Sequence, residues 1–371
     1  MATRILVTGG AGFIGSHVTD LLLSTGYSVR VLDNLSQQVH ANHEAPSYFD
    51  SEAELIVGDV RDADSVERAL KGIDAVLHLA ASVGVGQSMY EIASYTEVND
   101  LGTAVLLQAL ARQPVGRLVC ASSMSIYGEG LAQNRSGEMV APRERPSEQL
   151  RRGDWELQDS DGAPLSPLPT PETKQPSLSS VYALNKYAQE RLCLIVGQAY
   201  GIPTVALRFF NVYGPRQALS NPYTGVLAIF AARLLNERPP LVFEDGQQKR
   251  DFVHVHDVAC ACLKALETNR GIGQAFNIGS GESRTILSIA ADLAHVMGRP
   301  QITPHVTGKY RAGDIRHCFA DIRRSEAELG FSPQIAFTHG LEELAGWLSS
   351  QVAEDRVERA TAELESRGLV A

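Results

Sequence analysis

Tyr182 and Lys186 are spaced so that an acid–base pair falls on one helical face. Residues four apart in an α-helix are neighbours, which sets the lysine ammonium beside the tyrosine phenol. A free phenol ionises near pH ~10, too high for a base at neutral pH. An adjacent cation favours the phenolate and draws its pKa toward the working range. A hydroxyl from Ser123, in the run Ser122-Ser-Met-Ser125, would complete the arrangement by hydrogen-bonding the same substrate alcohol. By itself such a pair also recurs on solvated helix faces, so its weight depends on what surrounds it.

What surrounds it begins with a dinucleotide-binding turn. Ile5-Leu-Val-Thr-Gly9-Gly10-Ala-Gly12-Phe13-Ile14-Gly15 runs from a short apolar strand through close-set glycines into an apolar helix, Phe13 to Leu23, closed by Gly26. The turn needs backbone angles that a side chain forbids, and a pyrophosphate must approach bare backbone. The helix N-terminus then offers unpaired N–H groups and a partial positive charge. The second strand, Ser28 to Asp33, ends in a carboxylate that can accept hydrogen bonds from both ribose hydroxyls of NAD and would repel the 2′-phosphate of NADP. An Asp before Asn34 is also a plain turn former. NAD is the expected cofactor. Its oxidised nicotinamide would add to the pull on Tyr182, and Lys186 can hold the adjoining ribose.

The elements that position these groups alternate. Strand Leu55 to Val57 leads to Asp59, placed to reach an adenine amino group, and a helix capped by Asp62 or Asp64 follows. Strand Ala75 to Leu79 ends in Ala80-Ala81, whose small side chains leave room for a flat ring or a diphosphate. A helical stretch containing Asn99 has Leu101, Val105, Leu106 and Ala109 at helical spacing. Strands Arg117 to Ala121 and Thr204 to Phe209 complete the pattern, the latter ending near Asn211. Alternation of this kind predicts an α/β fold: a Rossmann-type doubly wound parallel sheet with a smaller α/β substrate-binding C-terminal domain. The polar residues singled out fall at the C-terminal ends of strands, the edge where open α/β sheets bind ligands. On that edge Phe13, Ile14, Asn34, Val60, Leu79, Asn99, Ala121 and Phe209 join Gly9, Gly12, Gly15, Asp33, Asp59, Ala80, Ala81, Tyr182 and Lys186 as expected NAD contacts.

The expected domains are 1–212 for the cofactor, with an insertion at 129–178, and 213–350 for substrate, part of 250–260 returning to the first; 351–371 is a tail helix without assigned function. The insertion is rich in Pro, Gly and charge, and a connection of that length is a lid or a disordered excursion. Trp155, Leu157, Leu165 and Leu168 favour an ordered flap, and the absence of cysteine there excludes a zinc-stapled ribbon. The net charge of -10, without a long basic run, argues against nucleic acid or an anionic membrane. No apolar run is long enough to span a bilayer, and the strand at the N-terminus leaves no room for a signal peptide. The five cysteines lack metal spacing and suit a reducing compartment. Cys260-Ala-Cys262 reads as core, no metal is expected, and the expected location is cytoplasmic.

These stretches resemble extended short-chain dehydrogenases/reductases of the nucleotide-sugar epimerase and dehydratase family. The resemblance runs from Arg4 to about Trp347, with 129–178 as the main departure. It is carried by Thr8-Gly-Gly-Ala-Gly-Phe-Ile-Gly15, Gly58-Asp-Val60, His78-Leu-Ala-Ala81, Ser122-Ser-Met-Ser-Ile-Tyr-Gly128, Tyr182-Ala-Leu-Asn-Lys186, Leu207-Arg-Phe-Phe-Asn-Val-Tyr-Gly-Pro-Arg216, Arg250-Asp-Phe-Val-His-Val-His-Asp257 and Arg311-Ala-Gly-Asp314. It implies that Ser123, Tyr182 and Lys186 form a catalytic triad, with Ser125 near the sugar. It also implies that Asn211 and Arg250 contact a nucleotide diphosphate, that Phe243 stacks on the base, and that Arg311 clamps phosphate with Asp314 nearby. Val85 and Val226 are assigned to the same nucleotide-sugar site. Taken singly, the two arginines could be surface ion-pair partners and Phe243 could be core.

Family dehydratases carry an acid pair after the catalytic hydroxyl, and decarboxylases keep the glutamate; here the positions are Met124 and Ser125. That demotes elimination and leaves C4 epimerisation through a transient 4-keto sugar, with NAD bound throughout. The run Gln217 to Phe230 and the tract Phe243 to Arg250 resemble bacterial dTDP-L-rhamnose 4-epimerases, ahead of UDP-glucose or UDP-glucuronate 4-epimerases. A net 4-keto reductase or dehydrogenase, using the same triad, and a non-catalytic NAD sensor, which would not need it, are the readings from other classes. Two helices, Leu101 to Leu110 and Tyr187 to Val196, carry more apolar surface than one sheet face needs, and the resemblance implies that they pair as a four-helix bundle in a homodimer; the alternative is that both simply cover the sheet.

Overall fold

The computed structural model describes residues 3–40, 43–219, 225–311, 313–351, 355 and 357–370. Its centre is a seven-stranded sheet of β1 (Arg4–Thr8), β2 (Ser28–Asp33), β3 (Glu54–Val57), β4 (Ala75–His78), β5 (Arg117–Ser123), β6 (Thr204–Phe209) and β7 (Gln274–Ile278). The strands lie in the order β7-β6-β5-β4-β1-β2-β3, and every pairing is parallel. Order reverses beside β1, which opens a crevice at the C-terminal ends of β1 and β4. Two apolar cores cover the faces, one built on Val7, Val119 and Phe276 and the other on Leu6, Leu118 and Leu106. This is the Rossmann-type architecture expected.

Helices α1 (Phe13–Ser24), α2 (Ala63–Leu70), α3 (Gly102–Arg112) and α4 (Val181–Tyr200) form at their expected places. Asp62 is the cap of α2, accepting the Asp64 and Ser65 N–H groups. Ser180 caps α4 by accepting the Ala183 N–H at 3.1 Å, and Gly201 ends that helix in the left-handed region. Helix α5 (Val226–Leu235) lies in the second layer. The chain then re-enters the large sheet further than expected at 250–260: α6 (Val255–Glu267) packs on α1, and β7 pairs with β6. Cys262 lies in that core, whereas Cys260 is exposed, a correction that follows from the two facing opposite sides of α6.

The second layer packs α5, α7 (Ile286–Val296) and α8 (Phe337–Leu348) around Tyr213 and Phe252. The run Gln217 to Phe230 is described except at 220–224, and Ala312 of the Arg311 motif also lies outside the described residues, as do Glu354 and Arg356 of the tail. The insertion is ordered. Three short antiparallel strands, Ala132–Gln133, Met139–Val140 and Ser166–Pro167, enclose a small core of Ala132, Leu157 and Leu165. Trp155 lies against Tyr310, and Leu168 is half-buried. Helix α9 (Val357–Ser366) closes the described chain, and no helix is long and apolar enough to cross a membrane among the described residues.

Candidate active site

The glycine turn is built for close approach. Gly9 has φ +72, and a Cβ there would stand 2.9 Å from the Ala80 backbone; a Cβ on Gly15 would stand 2.1 Å from the Gly9 carbonyl oxygen. Helix α1 follows with Gly12 as its cap and no side chain on its first N–H groups, leaving them for an anionic ligand. Asp33 closes the same turn, its carboxylate accepting the Ala11 N–H at 3.0 Å and the Leu35 N–H at 2.9 Å. Asn34 donates to Asp59 at 3.0 Å, and Asp59 pairs with Arg61 at 2.9 Å, which holds its carboxyl down to about 2. This cradle, bare of side chains at Gly9 and Gly15 and acidic at Asp33, fits NAD.

Around it the other assigned positions fall at the same edge. Leu79, Ala80 and Ala81 are half-buried at the end of β4, while Val60 packs against Gly102 and Ala121 and Phe209 are buried. Asn99 is spent differently: its amide donates to the Ser82 carbonyl at 3.1 Å and accepts the Ser82 N–H at 2.8 Å. It therefore fixes the loop after β4.

Strand β5, buried along its length, delivers Ser123 to the crevice. The Ser123 oxygen caps the next turn, accepting the Ser125 N–H at 3.2 Å and the Ser125 hydroxyl at 2.9 Å, and its side chain is hydrogen-bonded to the Tyr182 phenol. Tyr182 donates its backbone N–H to the Ser88 hydroxyl at 3.0 Å, which brings the segment carrying Val85 beside the triad. Burial pushes Tyr182 up to about 12 against the pull of Ser123, and burial also brings Lys186 down to about 8. The lysine ammonium donates to Gln189 Oε1 at 2.5 Å. The Gln189 amide meets His78 Nε2 at 2.9 Å, and His78 Nδ1 meets the Thr8 hydroxyl at 2.8 Å, so a buried polar chain runs from the triad to β1.

Opposite the triad, Arg311 lies 4.7 Å over the Phe243 ring and donates twice to Asp314, at 3.0 and 3.2 Å. Burial disfavours the Asp314 carboxylate, yet Arg311, Arg250 and Arg145 together hold its pKa below the ordinary range. Arg250 is directed at Asp314 and at the carbonyls of Lys249, Ile315 and Arg316. Asn211 has a buried side-chain oxygen without a hydrogen-bond partner among the described residues, and Val226 opens α5.

Three residues of the insertion were not singled out by sequence reasoning. Glu129 and Arg145 are ion-paired at 3.6 Å and Arg145 meets Glu244 at 2.9 Å, all buried. The Arg145 guanidinium also donates to the Asp314 carbonyl at 3.0 Å, which ties the insertion to the Arg311 loop. Glu156 meets Arg316, a side chain 0% exposed, at 2.5 Å. Their only signal was charge within a polar segment, which does not separate burial from solvation.

His254, His256 and Glu343 bring metal-ligand atoms within 4.8 Å of one another. His254 Nδ1 accepts the His256 N–H at 3.4 Å, and its Nε2 lies 3.5 Å from Glu343.

The parallel sheet, the glycine cradle and the Ser–Tyr–Lys group define a dinucleotide-dependent enzyme. Residues 5–153 and 160–279 match the model of the NAD dependent epimerase/dehydratase family. A dTDP-L-rhamnose 4-epimerase of Burkholderia thailandensis is 38% identical, the match covering 94% of this chain and 96% of the relative. Among solved structures, the UDP-glucose 4-epimerase of Thermotoga maritima with UDP-glucose superposes with TM-score 0.77 at 31% identity, over 94% of this chain and 99% of that one. The Thermus thermophilus UDP-glucose 4-epimerase in complex with NAD gives TM-score 0.74 at 32% identity, over 94% and 100%. The chain belongs to the NAD-dependent epimerase/dehydratase family, and its cofactor is NAD.

Proposed function

We propose that the protein epimerises a nucleoside-diphosphate sugar at C4, interconverting dTDP-L-rhamnose and dTDP-6-deoxy-L-talose. The observation that carries the reaction type is the pair after Ser123. Met124 is buried in an apolar cluster and Ser125 is bonded to Ser123, so neither supplies a carboxyl group for elimination. Tyr182 accepts the proton of the C4 hydroxyl, Ser123 hydrogen-bonds the same oxygen, and Lys186 holds the nicotinamide ribose beside them. NAD, when bound, supplies a hydride acceptor that is restored within each turnover. The residues of the glycine turn and Asp33 hold it, while Asn211, Phe243, Arg250 and Arg311 receive the nucleoside diphosphate and Val85 and Val226 border the sugar. The choice of sugar rests on the 38% identical relative; UDP-glucose and UDP-glucuronate are the second reading.

Residues 1–212 act as the cofactor unit together with the returning α6 and β7, the rest of 213–350 acts as the cover for substrate, and two subunits pair through α3 and α4. In support of pairing, Leu101 is 50% and Ile195 54% exposed on those helices and their approach, beside Leu184. Five free cysteines suit a reducing cytoplasm and a role in deoxysugar supply. The experiment is to incubate the protein separately with dTDP-L-rhamnose, UDP-glucose and UDP-glucuronate and follow C4 inversion by proton NMR. Inversion of the dTDP sugar is expected; inversion of only a UDP sugar overturns the preferred substrate.

A further inference from the structure

The end of the chain is fastened to both walls of the crevice. On the cofactor side, Leu364 of α9 packs over Gly86, where a Cβ would stand 3.5 Å from Leu364 Cδ1. The Arg367 guanidinium lies 4.2 Å over the Tyr90 ring. Gly86 and Tyr90 flank Ser88, whose hydroxyl receives the Tyr182 N–H. On the opposite side, Glu365 pairs with Lys309 at 2.6 Å, and Arg233 pairs with Asp355 at 3.3 Å and Glu358 at 3.2 Å. Last, the backbone of Val370 forms an antiparallel bridge with that of Arg311.

These are two different kinds of hold. Leu364 and Val370 are buried, so they give the tail an apolar anchorage at each end. The Lys309–Glu365 pair is exposed and adds direction more than energy, whereas Arg233 and Asp355 are both buried and hold the approach to the tail helix. The bridge to Val370 matters most, because it fixes the backbone from which Arg311 reaches over Phe243. An arginine side chain on a restrained backbone loses less freedom when it engages a phosphate.

Resting on the nucleotide-sugar reading above, we infer that residues 357–370 are a strap that sets substrate affinity. The strap positions Arg311 for a nucleoside diphosphate and holds the Gly84–Tyr90 segment against the same ligand. It touches none of the reacting groups, so its loss weakens binding and raises KM while kcat stays nearly unchanged.

The test uses the NAD-loaded full chain, a chain ending at Gln351, and the full chain with Arg367→Ala, each titrated calorimetrically with dTDP and UDP. Arg311→Ala is also introduced into the first two. Truncation is expected to weaken the better nucleotide about tenfold, and Arg367→Ala about threefold. Arg311→Ala should cost the full chain far more than the truncated one, because the two act through one contact. A truncated chain that melts normally, retains NAD and binds as tightly as the full chain overturns the strap, as do equal Arg311→Ala losses in both. If truncation unfolds the protein, the Arg367→Ala titration decides, and unchanged affinity overturns the strap. A full chain that binds neither nucleotide overturns the nucleotide-sugar reading, and the strap with it.

Discussion

Lys186 donates to the side-chain oxygen of Gln189, one helical turn further along α4, at 2.5 Å. The lysine is thereby linked through Gln189 and His78 to Thr8 on the strand that carries the glycine turn. Gln189→Leu would leave a buried ammonium without an acceptor, which costs about 1–3 kcal/mol of stability. Displacement of the lysine should also lower kcat by about ten- to a hundredfold. Thermal melts and steady-state kinetics on the purified variant check both; a silent variant means that Gln189 does not orient Lys186.

Removing the phenolic hydroxyl tests the base. Tyr182→Phe should reduce kcat by about a thousandfold or more, with nucleotide affinity little changed. Ser123→Ala should cost less, since it removes a hydrogen bond and leaves the base in place. Titration calorimetry with a nucleoside diphosphate beside the rate measurement separates binding from chemistry.

The rate should fall as pH rises through about 8, where Lys186 loses its proton. Lys186→Arg keeps a charge at high pH and should abolish that alkaline limb even while slowing the reaction. An unchanged limb in the variant would assign it to another group.

Stability should fall with acid. Burial lowers His17 to about 4 and His78 and His254 to about 3, so below about 6.5 the unfolded chain binds protons that the folded chain does not. Their contribution is complete above the unfolded value and is lost as pH drops through the folded ones. Asp251, raised to about 6 by burial, works in the opposite sense, as do Asp100, Glu129, Glu172 and Glu244, while His40 and His317, also lowered by burial, add to the three imidazoles. The melting temperature is expected to be lower at pH 5 than at pH 7, with proton uptake on unfolding measured in buffers of different ionisation enthalpy.

The insertion is held by buried charge. Arg316 meets Glu156, Glu244 and Asp245 at 2.5, 3.0 and 2.6 Å. Arg316→Met removes a buried cation from the partly exposed Glu156 and Asp245 and from the buried Glu244, which keeps Arg145, and should cost about 1–3 kcal/mol. Limited proteolysis should then cut first within 129–178; an unchanged melt and cleavage pattern would contradict this anchoring.

What the sequence made legible was local and periodic. Gly9 to Gly15, Asp33 and the Ser180-capped helix bearing Tyr182 and Lys186 announce themselves because turn geometry, strand ends and helix spacing constrain residue type over a few positions. The pairing of Arg145 with Glu244, or of Arg316 with Glu156, joins segments far apart in the chain, and a charged residue looks the same in a loop whether it ends in solvent or in a buried network. Spacing placed Lys186 near Tyr182, but the burial of both groups and the lysine's acceptor Gln189 belong to tertiary structure. The strap was invisible because its partners lie in two segments far apart in the chain, Gly86 and Tyr90 in one and Arg311 in the other.

The most direct measurement follows the hydrogen at C4. The protein, without added cofactor, is incubated with dTDP-L-rhamnose deuterated at C4, and the sugar is examined by NMR while absorbance at the NADH band is recorded. The predicted result is inversion at C4 with the deuterium retained and no lasting NADH, because the same hydride leaves and returns within one site. Loss of the label to solvent, or steady NADH accumulation once NAD is supplied, would contradict transient oxidation at C4.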